Sequence, residues 1–161
     1  MQGDKVILDA CCGSRMFWFS KNDSRALYMD NREIQETLCD GRMLTVSPDV
    51  VADFRDMPFA DETFNLVVFD PPHITRGGDN AFIIKKYGRL DKKTWRNDIT
   101  RGFAECFRVL KPNGVLIFKW SEHSIQLKQI LKLTEHKPLF GHRGYATSKT
   151  HWVVFMKEKG V

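Results

Sequence analysis

Apolar positions along this chain come in short blocks, and four of the blocks close on an aspartate. They are Lys5–Ala10 (KVILDA, with Asp9), Arg25–Asp30 (RALYMD), Val50–Asp53 (VVAD) and Phe64–Asp70 (FNLVVFD). Unbroken apolar runs of this length suit strands buried on both faces, as parallel strands are. The pattern predicts a mainly parallel sheet with its acids gathered at one edge and helices between some of the strands. A second period takes over further on. Trp95, Ile99, Phe103, Cys106, Phe107 and Leu110 recur at helical spacing, predicting a helix from about Lys92 to Leu110. KPNG (Lys111–Gly114) should stop it, and VLIFKW (Val115–Trp120) reads as another buried strand. Ser121 is placed to cap a further helix running to about Leu133. HWVVFMK (His151–Lys157) is the expected last strand, with KPLF (Lys137–Phe140) beside it.

The alternation fails between Asp30 and Val50. Asp40-Gly41 is a two-residue hairpin signal among β-compatible residues. A hairpin is therefore expected where a crossover helix would be usual. No linker, repeat or low-complexity tract interrupts the 161 residues, a length that buries a proper core in one domain. The reading is a single α/β domain over residues 1–161.

Composition narrows the setting. No apolar run is long enough to cross a membrane, and MQGDKVILDA lacks a signal peptide's basic head and cleavage site. Cys11, Cys12, Cys39 and Cys106 form no CxxC pair, and Cys11 and Cys12 read as small packing residues of a loop. The expectation is a cytoplasmic protein with no membrane partner. The five histidines suggest no metal set. Charge is unevenly spread: residues 1–70 hold 7 Lys+Arg against 13 Asp+Glu, net −6, while residues 71–101 carry +5 and residues 102–161 carry +6. A basic second half points to a polyanionic partner.

Candidate chemistry begins at VILDACCGS. A strand, an acid and a Gly-Ser step into an expected helix let main-chain N–H groups approach a ligand closely, with Gly13 taking a conformation a side chain would oppose. Asp30 closes the second strand about twenty residues later, where an acid accepts hydrogen bonds from ribose hydroxyls. Asp53-Phe54 closes the third, followed by RDMPFADETFNLVVFD.

In this order the segments resemble the class I S-adenosylmethionine-dependent methyltransferases. LDACCGS is similar to their glycine loop, YMD to their ribose-binding acid, ADFRDMPFADETFNLVVFD to their adenine-binding strand and its successor, and CFRVLKPNGVLIF to their next helix-turn-strand. The resemblance implies a Rossmann-like fold: a mainly parallel central sheet with an antiparallel last strand and helices on both faces. It implies S-adenosylmethionine as cofactor, leaving as S-adenosylhomocysteine. Asp9, Ala10, Cys11 and Gly13 would border its methionine part, Asp30 and Asn31 its ribose, and Asp53 and Phe54 its adenine. The chain departs from the family pattern in a missing second glycine after Gly13, in the hairpin, and in having no helix ahead of the first strand.

Within that superfamily, Asp70-Pro71-Pro72-His73 resembles the (Asp/Asn/Ser)-Pro-Pro-aromatic signature of amino-methyltransferases, whose substrates are amines conjugated to a ring or carbonyl. Such an amine is planar and a poor nucleophile. Acceptors beside its two N–H groups favour the pyramidal geometry of attack, and the Asp70 carboxylate and Pro71 carbonyl are such acceptors. Two prolines stiffen the turn and offer no competing N–H. His73, where Tyr, Phe or Trp is commoner, would stack on the base and, as an imidazolium, touch a phosphate.

The segment from His73 to the long helix is glycine-hinged and basic, with Lys85, Lys86, Arg89, Lys92 and Lys93, and Phe82 and Tyr87 as stacking faces. It reads as a lid or phosphate-binding arm. Lys119 and Trp120 end the fifth strand near the same edge, and Arg143, Lys149 and His151 lie in the loop joining the last two strands. The candidate substrate-binding residues are Lys85, Lys86, Tyr87, Lys119, Trp120, Lys149 and His151. The expected activity is methylation of an exocyclic amine of a nucleic-acid base, adenine N6 first, by direct in-line transfer, with DNA and RNA both open. A small molecule or protein amide is the alternative substrate, and a non-catalytic cofactor- or nucleic-acid-binding module is the alternative of another class. With no space for a recognition domain, sequence selectivity should be loose, or supplied by a homodimer or a recognition partner.

Overall fold

The protein's structure, a computed structural model, describes residues 5–143 and 148–160, except for the side chain of Arg143. Strands β1 (Ile7–Asp9), β2 (Ala26–Asp30), β5 (Val50–Val51), β6 (Phe64–Phe69), β7 (Leu110–Ser121), β8 (Phe140–Arg143) and β9 (Thr150–Met156) form one sheet in the order β5-β2-β1-β6-β7-β9-β8. The pairs from β5 to β7 are all parallel, and β9 runs antiparallel to both β7 and β8. The expected sheet, antiparallel last strand included, is therefore present. From β1 the chain winds outward to β2 and β5, then returns to β1's other side as β6. Brought together at this reversal, the C-terminal ends of neighbouring strands leave the crevice where open α/β sheets bind ligands. Asp9, Asp30 and Asp70 all lie there.

One face carries the main core. Leu8, Met29, Phe69, Phe118 and Phe155 pack with Ile99, Phe103 and Phe107 of helix α2 (Trp95–Val109) and with Ile130 of the short helix α3 (Leu127–Ile130). The Phe103 ring sits 4.9 Å from Phe118, 5.7 Å from Phe69 and 5.9 Å from Phe155. This is the apolar stripe the helical spacing predicted.

The opposite face is covered differently. Instead of the helix expected after Gly13-Ser14, residues 10–25 form a succession of turns. Gly13 and Arg15 have φ values of 49° and 55°, which a right-handed helix excludes. This path lets adjacent Phe17 and Trp18 both lie inward, Phe17 edge-on to Trp152 at 5.4 Å and Trp18 edge-on to Tyr28 at 5.1 Å. Successive residues of a helix point about 100° apart and would not do so.

The hairpin is real. Strands β3 (Ile34–Thr37) and β4 (Met43–Val46) pair antiparallel, but their turn spans residues 38–42, with Leu38 and Arg42 closing it and Gly41 at φ 82°. Its Leu38, Leu44 and Val46 form a small core of their own, against which Phe82 of helix α1 (Phe82–Tyr87) packs.

Two further expectations need correcting. Ser121 caps nothing: it is the buried last residue of β7, and the N–H of Leu127 is satisfied by Glu122 Oε1 at 2.8 Å. The Trp120 indole bonds to the Ile125 carbonyl at 2.9 Å and folds the chain back, delaying α3. KPNG does end α2, yet lies within β7, where the register against β6 shifts between Phe64 and Leu66 and Asn113 turns to φ 64°. No described helix is long and apolar enough to cross a membrane.

Gly102 is where α2 meets the site. A Cβ there would lie 2.6 Å from the Phe69 ring and 2.8 Å from the Phe54 ring. Gly102→Ala gains about 1 kcal/mol of helix propensity but overpacks two rings at a cost of about 1–3 kcal/mol. We expect a net loss of stability, read as a lower midpoint in urea, relieved when Phe54→Leu is added. An unchanged midpoint in Gly102→Ala would show that the rings move aside without strain.

Candidate active site

The carboxylates at the sheet edge decide how the loops run. Asp9 is fully buried and accepts from the Trp18 indole at 2.7 Å and from the Cys11 N–H at 3.4 Å. Burial, with Asp70 and Asp30 nearby, lifts its pKa from 3.8 to about 7 against the pull of the Trp18 bond. It is not on the cavity wall, contrary to the expectation that it borders the ligand. Its bonds anchor the loop whose Ala10, Cys11 and Gly13 line the cavity. Burial raises the Cys12 thiol to about 12 and pushes the Cys11 thiol well up too, so both are neutral packing residues.

Asp30 faces the cavity with its oxygens already engaged. Oδ2 accepts from the Gly13 N–H at 2.9 Å, and Oδ1 accepts from the Arg32 N–H and Nε, each at 3.0 Å. Arg32 also donates to the Lys85 carbonyl at 3.0 Å, tying β2 to α1. A diol at Asp30 finds its opening on Oδ2, where the second contact, from Arg32 Nη2, is a weak 3.4 Å.

Asp53 does not line the cavity. It accepts from the Arg55 N–H at 2.8 Å, and the Arg55 guanidinium grips it at 2.6 and 2.9 Å while reaching Asp98 at 3.0 Å. Its neighbours Ala52 and Phe54 supply the wall instead.

A cavity of about 270 Å³ lies along this edge. It brings together Ala10, Cys11, Gly13, Asp30, Asn31 and Phe54 on one side and Asp70, Pro71, Pro72, His73, Lys86, Tyr87 and Lys119 on the other. Asp70 Oδ2 holds the Lys119 ammonium at 2.8 Å. Burial raises the Asp70 pKa and Lys119 pulls it back. Among the described residues no donor meets Asp70 Oδ1 or the Pro71 carbonyl. Both residues line the cavity, on a turn that two prolines hold rigid. Gly88, at φ 75°, lets α1 end against Pro72: a Cβ would come within 3.2 Å of that ring.

His73 lies between Tyr87 at 5.8 Å, His123 at 6.0 Å and Trp120 at 6.2 Å. Burial first, then Lys119 and His123, drop its pKa from 6.5 to about 4. The imidazolium expected to meet a phosphate is thus absent at neutral pH, and His73 is a neutral aromatic wall. Trp120 is fully buried core beneath it, not a contact residue. Lys85 pairs with Glu36 at 3.2 Å, and Arg89 is held by Asp79 at 2.8 Å and by the Gly77 carbonyl. Lys149 and His151 lie outside the cavity, His151 facing Glu122 at 3.2 Å. The Arg143 side chain and residues 144–147 lie outside the described residues.

Sequence reasoning missed Met16, Phe17, Arg32, Ala52 and Gly88 as lining residues. Only Arg32, two places after the strand-ending Asp30, carried a signal: an acid-x-Arg step on which an arginine folds back.

No protein-family model matches the chain, and no curated protein matches it in sequence. Solved structures do share its fold. A SAM-dependent methyltransferase from Methanosarcina mazei has a TM-score of 0.55 at 12% identity, over 99% of this chain and 95% of the other. N-methyltransferase NodS from Bradyrhizobium japonicum has 0.58 at 10% identity, over 96% and 86%. A 1,6-didemethyltoxoflavin-N1-methyltransferase from Burkholderia thailandensis, solved with 1,6-didemethyltoxoflavin and S-adenosylhomocysteine bound, has 0.54 at 10% identity, over 98% and 73%. The likeness is one of fold: this chain is built on the Rossmann-like fold of SAM-dependent class I methyltransferases.

Two buried groups make opposite contributions to stability. Between pH 3.8 and about 7 the folded chain keeps a proton on Asp9 that the unfolded chain releases, so that contribution falls as pH rises. Between about pH 4 and 6.5 the unfolded chain protonates His73 and the folded chain does not, so its contribution rises. Each tenfold difference in proton affinity between the folded and unfolded chain is worth about 1.4 kcal/mol. Asp9→Asn, which keeps an oxygen for Trp18, should therefore leave stability rising by a few kcal/mol from pH 4 to 6.5. His73→Phe should leave it falling over the same range. Urea midpoints at half-unit pH steps test this; parallel profiles for the two variants would contradict it.

Proposed function

We propose that this chain is an S-adenosylmethionine-dependent N-methyltransferase, and that its substrate is the exocyclic amine of a nucleic-acid base, adenine N6 first. The observation that carries the reading is that Asp70 Oδ1 and the Pro71 carbonyl meet no donor among the described residues, while both residues line the same cavity as Gly13, Asp30 and Phe54.

The residues present fit the cofactor. Phe54 and Ala52 give a flat apolar wall for a purine, Asp30 and Asn31 take hydroxyls, and Gly13 at φ 49° brings backbone close. Asp30 and Asp70 add negative potential that favours a cation between them. Bound there, S-adenosylmethionine supplies a methyl carbon on a sulfonium, open to displacement by a lone pair.

The chain's own residues prepare the nucleophile. Asp70 Oδ1 and the Pro71 carbonyl accept from the two N–H groups of the substrate amine, drawing its lone pair out of conjugation. Lys119 on Oδ2 helps keep Asp70 ionised in a buried place, so that it accepts instead of donating. Neutral His73, with Tyr87, takes the face of the ring. The proton left on nitrogen after transfer passes to Asp70 or to water.

A small-molecule amine is the second reading, favoured by the N1-methyltransferase neighbour, whose named compound is a free heterocycle. To separate the two, the protein is incubated with labelled cofactor and single-stranded DNA, duplex DNA, RNA or a metabolite extract, and the labelled product is identified. Methyladenine in a nucleic-acid digest is the expected product, and label confined to the metabolite fraction would favour the second reading. Asp70→Ala should lower turnover by at least about 10²-fold while calorimetry shows S-adenosylmethionine affinity within a few-fold of the parent. Undiminished turnover in that variant would remove Asp70 from the mechanism.

A further inference from the structure

A second cavity, about 440 Å³, opens between the loop at residues 14–22, the β3–β4 hairpin and α1. Four cations line it, Arg15, Lys21, Arg42 and Lys86, together with the polar side chains of Asn22 and Ser47. Two carboxylates offset this charge: Asp40 binds Arg42 at 2.6 Å, and Asp49 stands 3.8 Å from Arg15. Neither acid lines the cavity. Arg15 otherwise spends its hydrogen bonds on neutral acceptors, the Lys21 and Ser47 carbonyls and Asn22 Oδ1. That leaves the Asn22 amide group free to donate. Among the described residues Lys21 meets no carboxylate, and Lys86 meets only the faces of Phe82 at 5.8 Å and Tyr87 at 5.3 Å. Surplus positive charge with amide and hydroxyl donors is the chemistry that binds phosphate oxygens.

The position says which phosphate. Both cavities share Gly13, Ser14 and Lys86, so they adjoin across the loop that anchors on Asp30. A substrate with its ring at Asp70 that continues out past Lys86 arrives here. The hairpin that builds the far wall is the segment that replaces the usual crossover helix. We propose that this cavity holds the phosphodiester backbone of a single-stranded nucleic acid whose target base stands at Asp70. The proposal rests on the nucleic-acid reading above and adds a binding site to it. Such a site grips its substrate with a preference for backbone over sequence.

The test uses the doubly substituted Lys21→Gln/Arg42→Gln chain, since neither side chain lines the first cavity. Fluorescence anisotropy follows binding of labelled single-stranded dodecamers, DNA and RNA, with bases and fully abasic, over a range of salt. The double variant should lose about tenfold in affinity for both the normal and the abasic strands. Its plot of log K against log salt should be shallower by about 1.4, two phosphate contacts at about 0.7 each. Its S-adenosylmethionine affinity and melting temperature should match the parent's, which excludes a folding defect. Parent-like slopes in the double variant, or strands bound by the parent only when bases are present, would overturn the cavity assignment and leave the methylation reading standing. A parent chain that neither binds nor methylates any strand would overturn both. Inorganic pyrophosphate that binds this cavity while no strand does would assign it to a small phosphorylated ligand and overturn the proposal as stated.

Discussion

Three carboxylates, Asp9, Asp30 and Asp70, gather at one end of a parallel sheet, where the charges of Asp70 and Asp30 help raise the proton affinity of Asp9, and each is mostly or wholly buried. A buried charge without a partner costs several kcal/mol, so the surrounding chain must come to them. Trp18 comes to Asp9, Gly13 and Arg32 come to Asp30, and Lys119 comes to Asp70. The loop at residues 10–25 is irregular because it answers two of these acids while also packing Phe17 against Trp152 and Trp18 against Tyr28. The position of α1 follows as well, since Arg32 links Asp30 to the Lys85 carbonyl. Much of the cavity wall is thus a consequence of pairing the acids.

The same constraint divides their roles. Asp9 is satisfied out of the cavity and serves as an internal anchor, and Asp53, gripped by Arg55, is likewise withdrawn. Asp30 and Asp70 keep an oxygen with room for one more donor. In the proposed reaction that difference is what separates a scaffold acid from a working one. Sequence alone showed four strand-ending acids of the same kind, because their distinction rests on which partner reaches which oxygen.

With a hairpin in place of a crossover helix, the cavity edge of the sheet is covered by loops and one six-residue helix. The hairpin carries its own small core of Leu38, Leu44 and Val46, and Phe82 of α1 packs against it. Charge read from the sequence as a general basic bias is more local in the fold. Lys85 and Arg89 are neutralised by Glu36 and Asp79, while Lys21 and Lys86 remain at a cavity.

By itself the sequence determined the strands, the long amphipathic helix, the hairpin and the Asp-Pro-Pro-His turn. Those features depend on local periodicity and on proline and glycine geometry, which neighbours in the chain specify. It also placed most of the cavity's acids and glycines, since strand ends in a parallel sheet fall at one edge. Only the tertiary structure decided that Gly13-Ser14 opens no helix, that Ser121 caps nothing, that Asp53 and Trp120 turn away and that His73 is neutral. It likewise decided that Phe17 and Arg32 face the cavity. Each of these turns on a contact between residues far apart in the chain, or on burial that removes water from a charge, and neither is written in the spacing of residues.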